Sequence, residues 1–368
     1  MRPLQTFERW VRKRLIRRLA PPPGDPSQHS LSPIRSILLL RIDRLGDATI
    51  STSIIAAIAR RFPDATIDIV LSEKNVAIAS AIPHVRRHHL WTKNPFRLLA
   101  TCLALRAHRY DLCVNLHVKP SSNALLAGRV AGAAHYIEAR PVDRSVGADL
   151  HIVEKTSRIV ASLGVERIDR SKERMHPLRL LIDESDMKAD HAGGFARADH
   201  QRLPVEPIAG VPLLINVSVF DPARRWPVEK VERLSMMLRD VGMPHAFIGS
   251  PGDRERLISL KERTGAPFVE PSDDILRLLS TLRRAQLVVS PDTFIVHAAA
   301  AFGVPVVGLY GSIEAMTEWR PWGVPHETLL GETAVADIEV KDVFDAIARL
   351  RIGSVDRYED GTVERRTA

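Results

Sequence analysis

The chain is poor in cysteine and in aromatic residues: its 368 residues hold two cysteines, Cys102 and Cys113, and only 5% Phe, Trp and Tyr. Two cysteines supply neither a metal-ligand spacing nor a disulfide framework, so a reducing, cytoplasmic setting is expected. There is no apolar run of about eighteen residues, which argues against a membrane-spanning helix. The basic N-terminus has no unbroken apolar segment and no small-residue cleavage site, so a secretory signal is not expected. Several chemical signatures are missing as well. Without a Walker loop, or a Gly-x-Gly-x-x-Gly after the first strand, a nucleoside triphosphatase and a plain dinucleotide oxidoreductase lose support. No Asp-x-Asp is present to hold a metal–diphosphate complex, and no Gly-x-Ser-x-Gly elbow presents a serine nucleophile.

What is present is 45% hydrophobic and 26% charged, the composition of a globular protein long enough for two domains. The net charge of +8 is unevenly spread. Residues 1–18 carry seven bases against the single acid Glu8, while the remaining residues hold 45 bases and 43 acids. A near-neutral body does not suggest a nucleic-acid-binding surface. In the tail, Leu4, Phe7, Trp10, Val11, Leu15 and Leu19 share one helical arc and bases crowd the rest. Residues 1–20 therefore read as an interfacial helix for an anionic membrane surface, although Arg14 and Arg18 would have to snorkel out of the apolar arc. A solvated extension is the competing reading. Pro21-Pro22-Pro23-Gly24-Asp25-Pro26 ends any such helix and makes residues 1–32 a tail plus stiff linker.

From residue 33 on, apolar runs alternate with segments of helical period. Ser36–Ile42, Thr66–Leu71 and Asp111–Leu116 read as buried parallel strands, separated by helices over 48–62, 74–81 and 96–108. Further helices are expected over 121–131 and 149–163. A polar, Gly- and Pro-containing stretch over 186–210 separates this first domain, 33–185, from a second over 211–352. There, strands at 213–218, 245–249, 286–290 and 305–310 alternate with helices at 228–240, 252–264, 273–283, 293–302 and 341–350. The chain is expected to be loose over 353–368. The fold class is α/β: two doubly wound, Rossmann-like parallel-sheet domains, with ligands expected at the carboxyl ends of the strands and in a cleft between the domains.

Three motifs fall at such strand ends. In Arg41-Ile42-Asp43-Arg44-Leu45-Gly46-Asp47, Gly46 suits a tight or left-handed turn, and Asp47 at a helix head could take the proton of an attacking hydroxyl. An ordinary capping aspartate is the alternative. In Ser290-Pro291-Asp292-Thr293, followed by His297 one helical turn later, a helix start offers backbone N–H groups to a phosphate. A capped helix with a core histidine explains each residue singly. In Asp221-Pro222-Ala223-Arg224-Arg225-Trp226-Pro227, a base could face a diphosphate while Trp226-Pro227 anchors the loop and starts a helix; exposed arginines are also ordinary surface.

Taken in order, Leu45-Gly46-Asp47, Arg225-Trp226-Pro227, Asp292-Thr293 with His297-Ala298-Ala299-Ala300, and Gly303-Val304-Pro305-Val306-Val307-Gly308-Leu309-Tyr310-Gly311 resemble the ADP-heptose:lipopolysaccharide heptosyltransferases. Trp319-Arg320-Pro321-Trp322-Gly323 is similar to the closing loop of that family, and the layout from Tyr110 to Ala133 is similar as well. The resemblance spans roughly residues 35–330. It implies a GT-B fold and inverting, metal-independent sugar transfer with no cofactor beyond the nucleotide-sugar donor, ADP-heptose. It makes Asp47 the general base and places Ser218, Arg224, Asp292, Thr293 and His297 at the donor. It also implies a lipid-linked saccharide acceptor, no nucleic-acid partner, and work on the cytoplasmic face of the inner membrane.

Two positions depart from the family pattern. Phe294 stands where the family has Gly after Asp-Thr, and the loop Ser218-Val219-Phe220-Asp221 has fewer hydroxyls than those that grip phosphate. These departures motivate an alternative, a non-catalytic homologue that binds a glycan or nucleotide. A sugar-nucleotide epimerase is a third reading. On the acceptor side, Arg86, Arg87, His88, His89, Lys119, Arg140 and Arg144 are candidate bases, with none singled out.

Overall fold

A computed structural model describes residues 33–119, 121–139, 149–165, 168 and 213–359, the last eight of these as backbone only. The expected tail helix and linker over 1–32, the connection at 186–210, Arg140 and Arg144 lie outside the described residues. The chain divides into two compact units, Met1–Arg202 and Leu203–Ala368.

In the first unit, β1 (Ser36–Arg41), β2 (Thr66–Ser72), β3 (Arg87–Trp91), β4 (Leu112–Asn115) and β5 (His135–Ile137) form one parallel sheet in the order β3-β2-β1-β4-β5. β1 is central, and its register sets Leu39 opposite Ile69 on one side and Val114 on the other. Five of its six residues are buried, as a strand covered on both faces requires. The helices are α1 (Leu45–Arg61), α2 (Pro95–His108), α3 (Ser122–Ala131) and α4 (Ile152–Val160). α1 is buried from Ala48 to Ile58. Each of its fully buried isoleucines stabilises the unit by about 1.5–3 kcal/mol. Its hydroxyls are satisfied within the helix: Thr49 donates to the Leu45 carbonyl at 3.0 Å and Ser51 to that of Asp47 at 2.8 Å.

In the second unit, β6 (Leu213–Asn216), β7 (His245–Ile248), β8 (Leu287–Pro291), β9 (Val306–Tyr310) and β10 (His326–Leu330) form a second parallel sheet, ordered β10-β9-β8-β6-β7. Its helices are α5 (Val228–Asp240), α6 (Arg254–Thr264), α7 (Ile275–Arg284), α8 (Phe294–Ala301), α9 (Ile313–Trp319) and α10 (Val340–Glu359). Trp226, Leu234, Phe247, Leu257, Val289, Leu309 and Val343 are among the residues of one core cluster here. Gly303 closes α8 at φ 76°, which a residue with a Cβ adopts only with strain.

The two doubly wound parallel sheets match the expected fold class. Four short elements, β3, β5, α9 and β10, go beyond the strands and helices read from the sequence, and α10 continues to Glu359, past the point at which the chain was expected to loosen. The 74–81 segment is a 3₁₀ helix over Val76–Ala81. Gly46 is no left-handed turn residue. It stands in the first turn of α1, and the bend is made ahead of it by Arg44, extended at φ −109° and ψ 167°. Among the described residues, no helix is long and apolar enough to cross a membrane.

Candidate active site

The strand order reverses direction between β1 and β4 in the first sheet and between β6 and β8 in the second. At such switch points the connections depart to opposite faces and leave a crevice at the carboxyl ends. Each unit gathers a polar cluster there.

In the first unit the cluster is organised by Arg41, which closes β1 and is only 2% exposed. Its Nη1 donates to the Leu116 carbonyl at 2.6 Å and its Nε to the Asp47 carbonyl at 3.0 Å, tying the ends of β1 and β4 to the first turn of α1. The same guanidinium faces two carboxylates: Nη1 is 3.4 Å from Asp43 Oδ2, and Nη2 is 3.7 Å from Asp47 Oδ1. Asp47 is not the helix cap, since Arg44 holds that position. Asp47 stands in the first turn of α1, three residues after that cap, where a bond from the Arg44 N–H reaches its carboxylate as in a capping box.

Burial pushes the carboxyls of both Asp43 and Asp47 above the ordinary aspartate range, against the pull of Arg41, and the charge of Asp43 adds to the rise at Asp47. His117 stands beside them, with Nε2 3.5 Å from Asp43 Oδ2. The Ile42 N–H donates to that Nε2 at 3.2 Å, so the ring proton sits on Nδ1 and is donated to Asn115 Oδ1 at 2.8 Å. Burial, with Arg41 nearby, pushes the His117 imidazole down to about 4, which makes it neutral near pH 7. Asn75 donates from Nδ2 to the Arg41 carbonyl at 2.8 Å and Ser72 from Oγ to the Asp43 carbonyl at 2.8 Å, fixing the loop from behind. The result is a partly exposed aspartate pair on a rigid buried cation. One carboxylate of such a pair takes up a proton more readily than an ordinary aspartate.

In the second unit Asn216 ends β6 and holds the crevice together. Its Nδ2 donates to Ser290 Oγ at 3.0 Å, the Ser218 carbonyl at 3.1 Å and Thr293 Oγ1 at 3.3 Å. Thr293 caps α8, accepting the Ile295 N–H at 3.3 Å, while its own N–H-rich first turn begins at Phe294, a half-buried side chain. Arg224 reaches across from the 3₁₀ turn Pro222–Arg224 and donates from Nη1 to Asp292 Oδ2 at 3.0 Å. The arginine is half exposed and the aspartate nearly buried, so the cation is held with part of its fork open to solvent. Trp226, 4% exposed, anchors that turn by donating from Nε1 to the Ile338 carbonyl at 3.0 Å, and Pro227 precedes α5.

His297 is buried, and burial pushes its imidazole down to about 4. It is therefore a neutral donor or acceptor and no cationic phosphate ligand. Its ring packs against Trp319 at 5.8 Å, and its Nδ1 has no hydrogen-bond partner. Such an atom in a dry site costs about 1–3 kcal/mol unless a ligand satisfies it. Ser218 is engaged otherwise. Its hydroxyl donates to Asp253 Oδ2 and accepts the Ser250 N–H at 3.0 Å. Burial would raise the Asp253 carboxyl, but bonds from Ser218 and Ser250 and the charge of Arg256 hold it low.

Arg224, Asp292, Thr293 and His297 thus come together about one strand end, Ser218 joins them through its backbone and Asn216, and Asp47 belongs to the other unit's cluster. Sequence reasoning missed Arg41, His117, Asn75, Asn216 and Asp253, and did not give Asp43 a role. A charged residue closing an apolar strand, Arg41, was the available signal. Of the acceptor-side bases, Arg86 is committed to Asp68, with Nη2 at 3.1 Å from Oδ2. Asp68, His89 and His108 are close enough to hold a metal ion, but Arg86 bonds the carboxylate from two nitrogens and Arg87 Nη1 lies 2.9 Å from His108 Nε2. Two guanidiniums make that cluster a closed hydrogen-bonded network, unfavourable for a cation.

Two Rossmann-like sheets, each with polar residues at its switch point, are the architecture of GT-B glycosyltransferases, and glycosyltransferase structures share this fold. The family model for glycosyltransferase family 9 (heptosyltransferase) matches residues 100–347, and the chain belongs to that family and is a glycosyltransferase. The match takes in the second unit as far as residue 347, within α10, and leaves Asp47 outside it. Lipopolysaccharide heptosyltransferase 3 of Escherichia coli is 23% identical over 303 residues, which cover 75% of this chain and 83% of that protein. Among solved structures, the glycosyl transferase family 9 protein from Veillonella parvula DSM 2008 is similar with TM-score 0.70 and 18% identity, covering 88% of this chain and 100% of the other. The E. coli heptosyltransferase WaaC with ADP-2-deoxy-2-fluoro heptose is similar with TM-score 0.64 and 19% identity, covering 85% and 99%.

Proposed function

We propose that this enzyme is an inverting, metal-independent heptosyltransferase that moves heptose from ADP-heptose to a lipopolysaccharide-core-like, lipid-linked acceptor on the cytoplasmic face of the inner membrane. The observation that carries the reading is the Asp43–Asp47 pair bracketing buried Arg41 at a switch point. Asp47, raised above an ordinary aspartate and one-fifth exposed, suits a general base that accepts the acceptor hydroxyl's proton. As that oxygen attacks the anomeric carbon, the bond to the diphosphate breaks and negative charge moves onto the leaving group. Arg224 and the start of α8 at Asp292-Thr293 stabilise that charge, and neutral His297 offers a hydrogen bond to the donor. Asp292 does not meet phosphate. Its bond to Arg224 gives it a different part, holding the guanidinium in place. ADP-heptose is favoured as donor because relatives named lipopolysaccharide heptosyltransferases and a similar structure holding an ADP-linked fluoroheptose support it.

The test is Asp47→Asn, assayed for ADP release from ADP-heptose with a lipopolysaccharide-core acceptor. Turnover is expected to fall by about 10²–10⁴-fold with ADP binding and melting temperature retained. Turnover within a few-fold of the parent would overturn the assignment. A donor panel of ADP-, UDP- and GDP-linked sugars, read by thermal shift, tests the nucleotide separately.

A further inference from the structure

α2 is apolar on two opposite sides. Leu98, Cys102 and Leu105, spaced four and three residues apart, pack into the core of the first unit. On the opposite side, Phe96 is 82% exposed, Leu99 59% and Leu103 63%, again at helical spacing. Ala100 and Ala107 extend that outer stripe, and Leu126 of α3 is also exposed. A helix that is apolar all round is normally covered on both sides, and contiguous large apolar side chains on a surface mark a binding face. The helix is not frayed: Asn94 Oδ1 caps it, accepting the Phe96 and Arg97 N–H groups at 3.1 Å, with Pro95 in the first turn. The exposed phenylalanine is therefore held rigidly outward.

The charges around the stripe are mostly positive. Between residues 93 and 134 the chain carries Lys93, Arg97, Arg106, Arg109, Lys119 and Arg129 against a single acid, Asp111. That acid is turned to the start of β1, where it accepts bonds from the Ser36 N–H and hydroxyl at 2.9 Å. Two other acids lie near α2: buried Asp68, close to His108 and bonded by Arg86, and Glu73, whose carboxyl is held low by the Thr92 hydroxyl and by the charges of Lys93 and Arg97. Arg97 and Arg106 flank the outer stripe on either side.

We infer that the outer face of α2 is a docking surface for an anionic lipid bilayer, with Phe96, Leu99 and Leu103 entering the headgroup–acyl boundary and Lys93, Arg97, Arg106 and Arg109 meeting lipid phosphates. Charge decides among the possible occupants. A second copy of this face would set the same cations against each other, and residues 1–18 of this chain, themselves strongly basic, would be repelled. An apolar stripe edged by bases is complementary to an anionic membrane. The surface is separate from residues 1–20, and its test needs neither donor nor acceptor, so it stands or falls apart from the transfer reaction.

The experiment uses the full chain carrying Leu99→Cys and Cys102→Ala, labelled at position 99 with an environment-sensitive nitrobenzoxadiazole; Cys113 is fully buried. Mixing with phosphatidylglycerol–phosphatidylcholine vesicles is expected to brighten and blue-shift the emission, and pure phosphatidylcholine vesicles to leave it unchanged. In flotation, the full chain with Phe96→Ser, Leu99→Ser and Leu103→Ser is expected to partition roughly tenfold less onto the anionic vesicles, with an unchanged melting temperature. An unshifted probe on vesicles that do bind the chain would overturn the inference in favour of binding by another segment. So would a shift without lipid: one that grows with protein concentration means a second copy, and one independent of it means a segment of the chain itself.

Discussion

Asp43→Asn tests the reasoning about the acid pair without touching the proposed base. Arg41 carries one positive charge and faces two carboxylates, at 3.4 and 3.7 Å. One cation offsets one of them, and the surplus negative charge raises the pKa of the other. Like charges sharing one guanidinium, about 5–8 Å apart, repel by about 2–3 kcal/mol at an effective dielectric of 20. The one-fifth exposure of each side chain and the screening by Arg41 reduce this, so the Asp43 charge adds to a rise that burial of Asp47 begins. The sign follows directly. Asp47 acts as a base only when ionised, so kcat/KM falls as pH drops through its pKa. Removing the Asp43 charge lowers that pKa, and the base stays ionised to lower pH.

The acid limb of the kcat/KM profile should therefore move to lower pH in Asp43→Asn, with the plateau at neutral pH changed by less than about tenfold. The assay is initial-rate ADP release across the acidic range with saturating acceptor, and circular dichroism at each pH confirms the fold. A limb that stays in place, or moves to higher pH, would refute the shared-cation account. It would then have to be Asp43, or a group outside the pair, that titrates.

Arg224→Ala should raise the donor KM and reduce the thermal shift given by ADP, because a diphosphate loses a charge-assisted contact of about 1.5–3 kcal/mol; unaltered ADP binding would remove Arg224 from the donor site. Tyr110→Phe should lower stability by about 1–3 kcal/mol in denaturant melts, since the tyrosine hydroxyl donates to fully buried Asp68 Oδ2 at 2.8 Å. Burial would raise the Asp68 carboxyl, but bonds from His89, Arg86 and Tyr110 hold it well below the usual range. Its contribution is thus present above the unfolded pKa near 4 and is lost as pH falls through the folded one, so the parent's advantage over Tyr110→Phe should shrink in acid. Gly128→Ala places a Cβ 2.4 Å from the Tyr136 ring where α3 crosses the sheet, and should cost about 1–3 kcal/mol; a neutral melt would mean that the ring swings aside freely.

The sheets were legible because buried parallel strands are continuous apolar runs, and Ser36–Arg41, Thr66–Ser72 and Val306–Tyr310 are of that kind. β5 is three residues long and β10 reads His-Glu-Thr-Leu-Leu at the sheet edge, half exposed, so neither makes such a run. The site was legible only where residues are neighbours in sequence. Asp292, Thr293 and His297 sit within one strand end and one helical turn and could be read together. Arg41 and Leu116 meet across 75 residues, as do Ile42 and His117. No periodicity encodes a contact made by two adjacent strands ending side by side, so the residues that position Asp47 stayed invisible while Asp47 itself did not. Gly46 shows the reverse error: a glycine invites a turn, but the turn was made by an extended Arg44.

The donor side gains its sense from the Arg224–Asp292 pair. An arginine kept free for a diphosphate would be a long, mobile side chain, and ordering it on binding would cost about 1–2 kcal/mol of entropy. In the proposed donor site, Asp292 would remove that cost in advance by holding Nη1 at 3.0 Å, with the half-exposed guanidinium keeping other N–H groups for the ligand. On the proposed reading the counter-charge also keeps the crevice from being strongly basic, which would let product diphosphate leave. Asp292→Asn should separate these effects. Without its counter-charge Arg224 attracts diphosphate more strongly, so ADP should bind more tightly, and release slows turnover at saturation while kcat/KM is less affected. Stopped-flow measurement of ADP dissociation decides it: a slower off-rate supports the counter-charge role, and a faster one means that Asp292 holds Arg224 in a geometry the asparagine cannot keep.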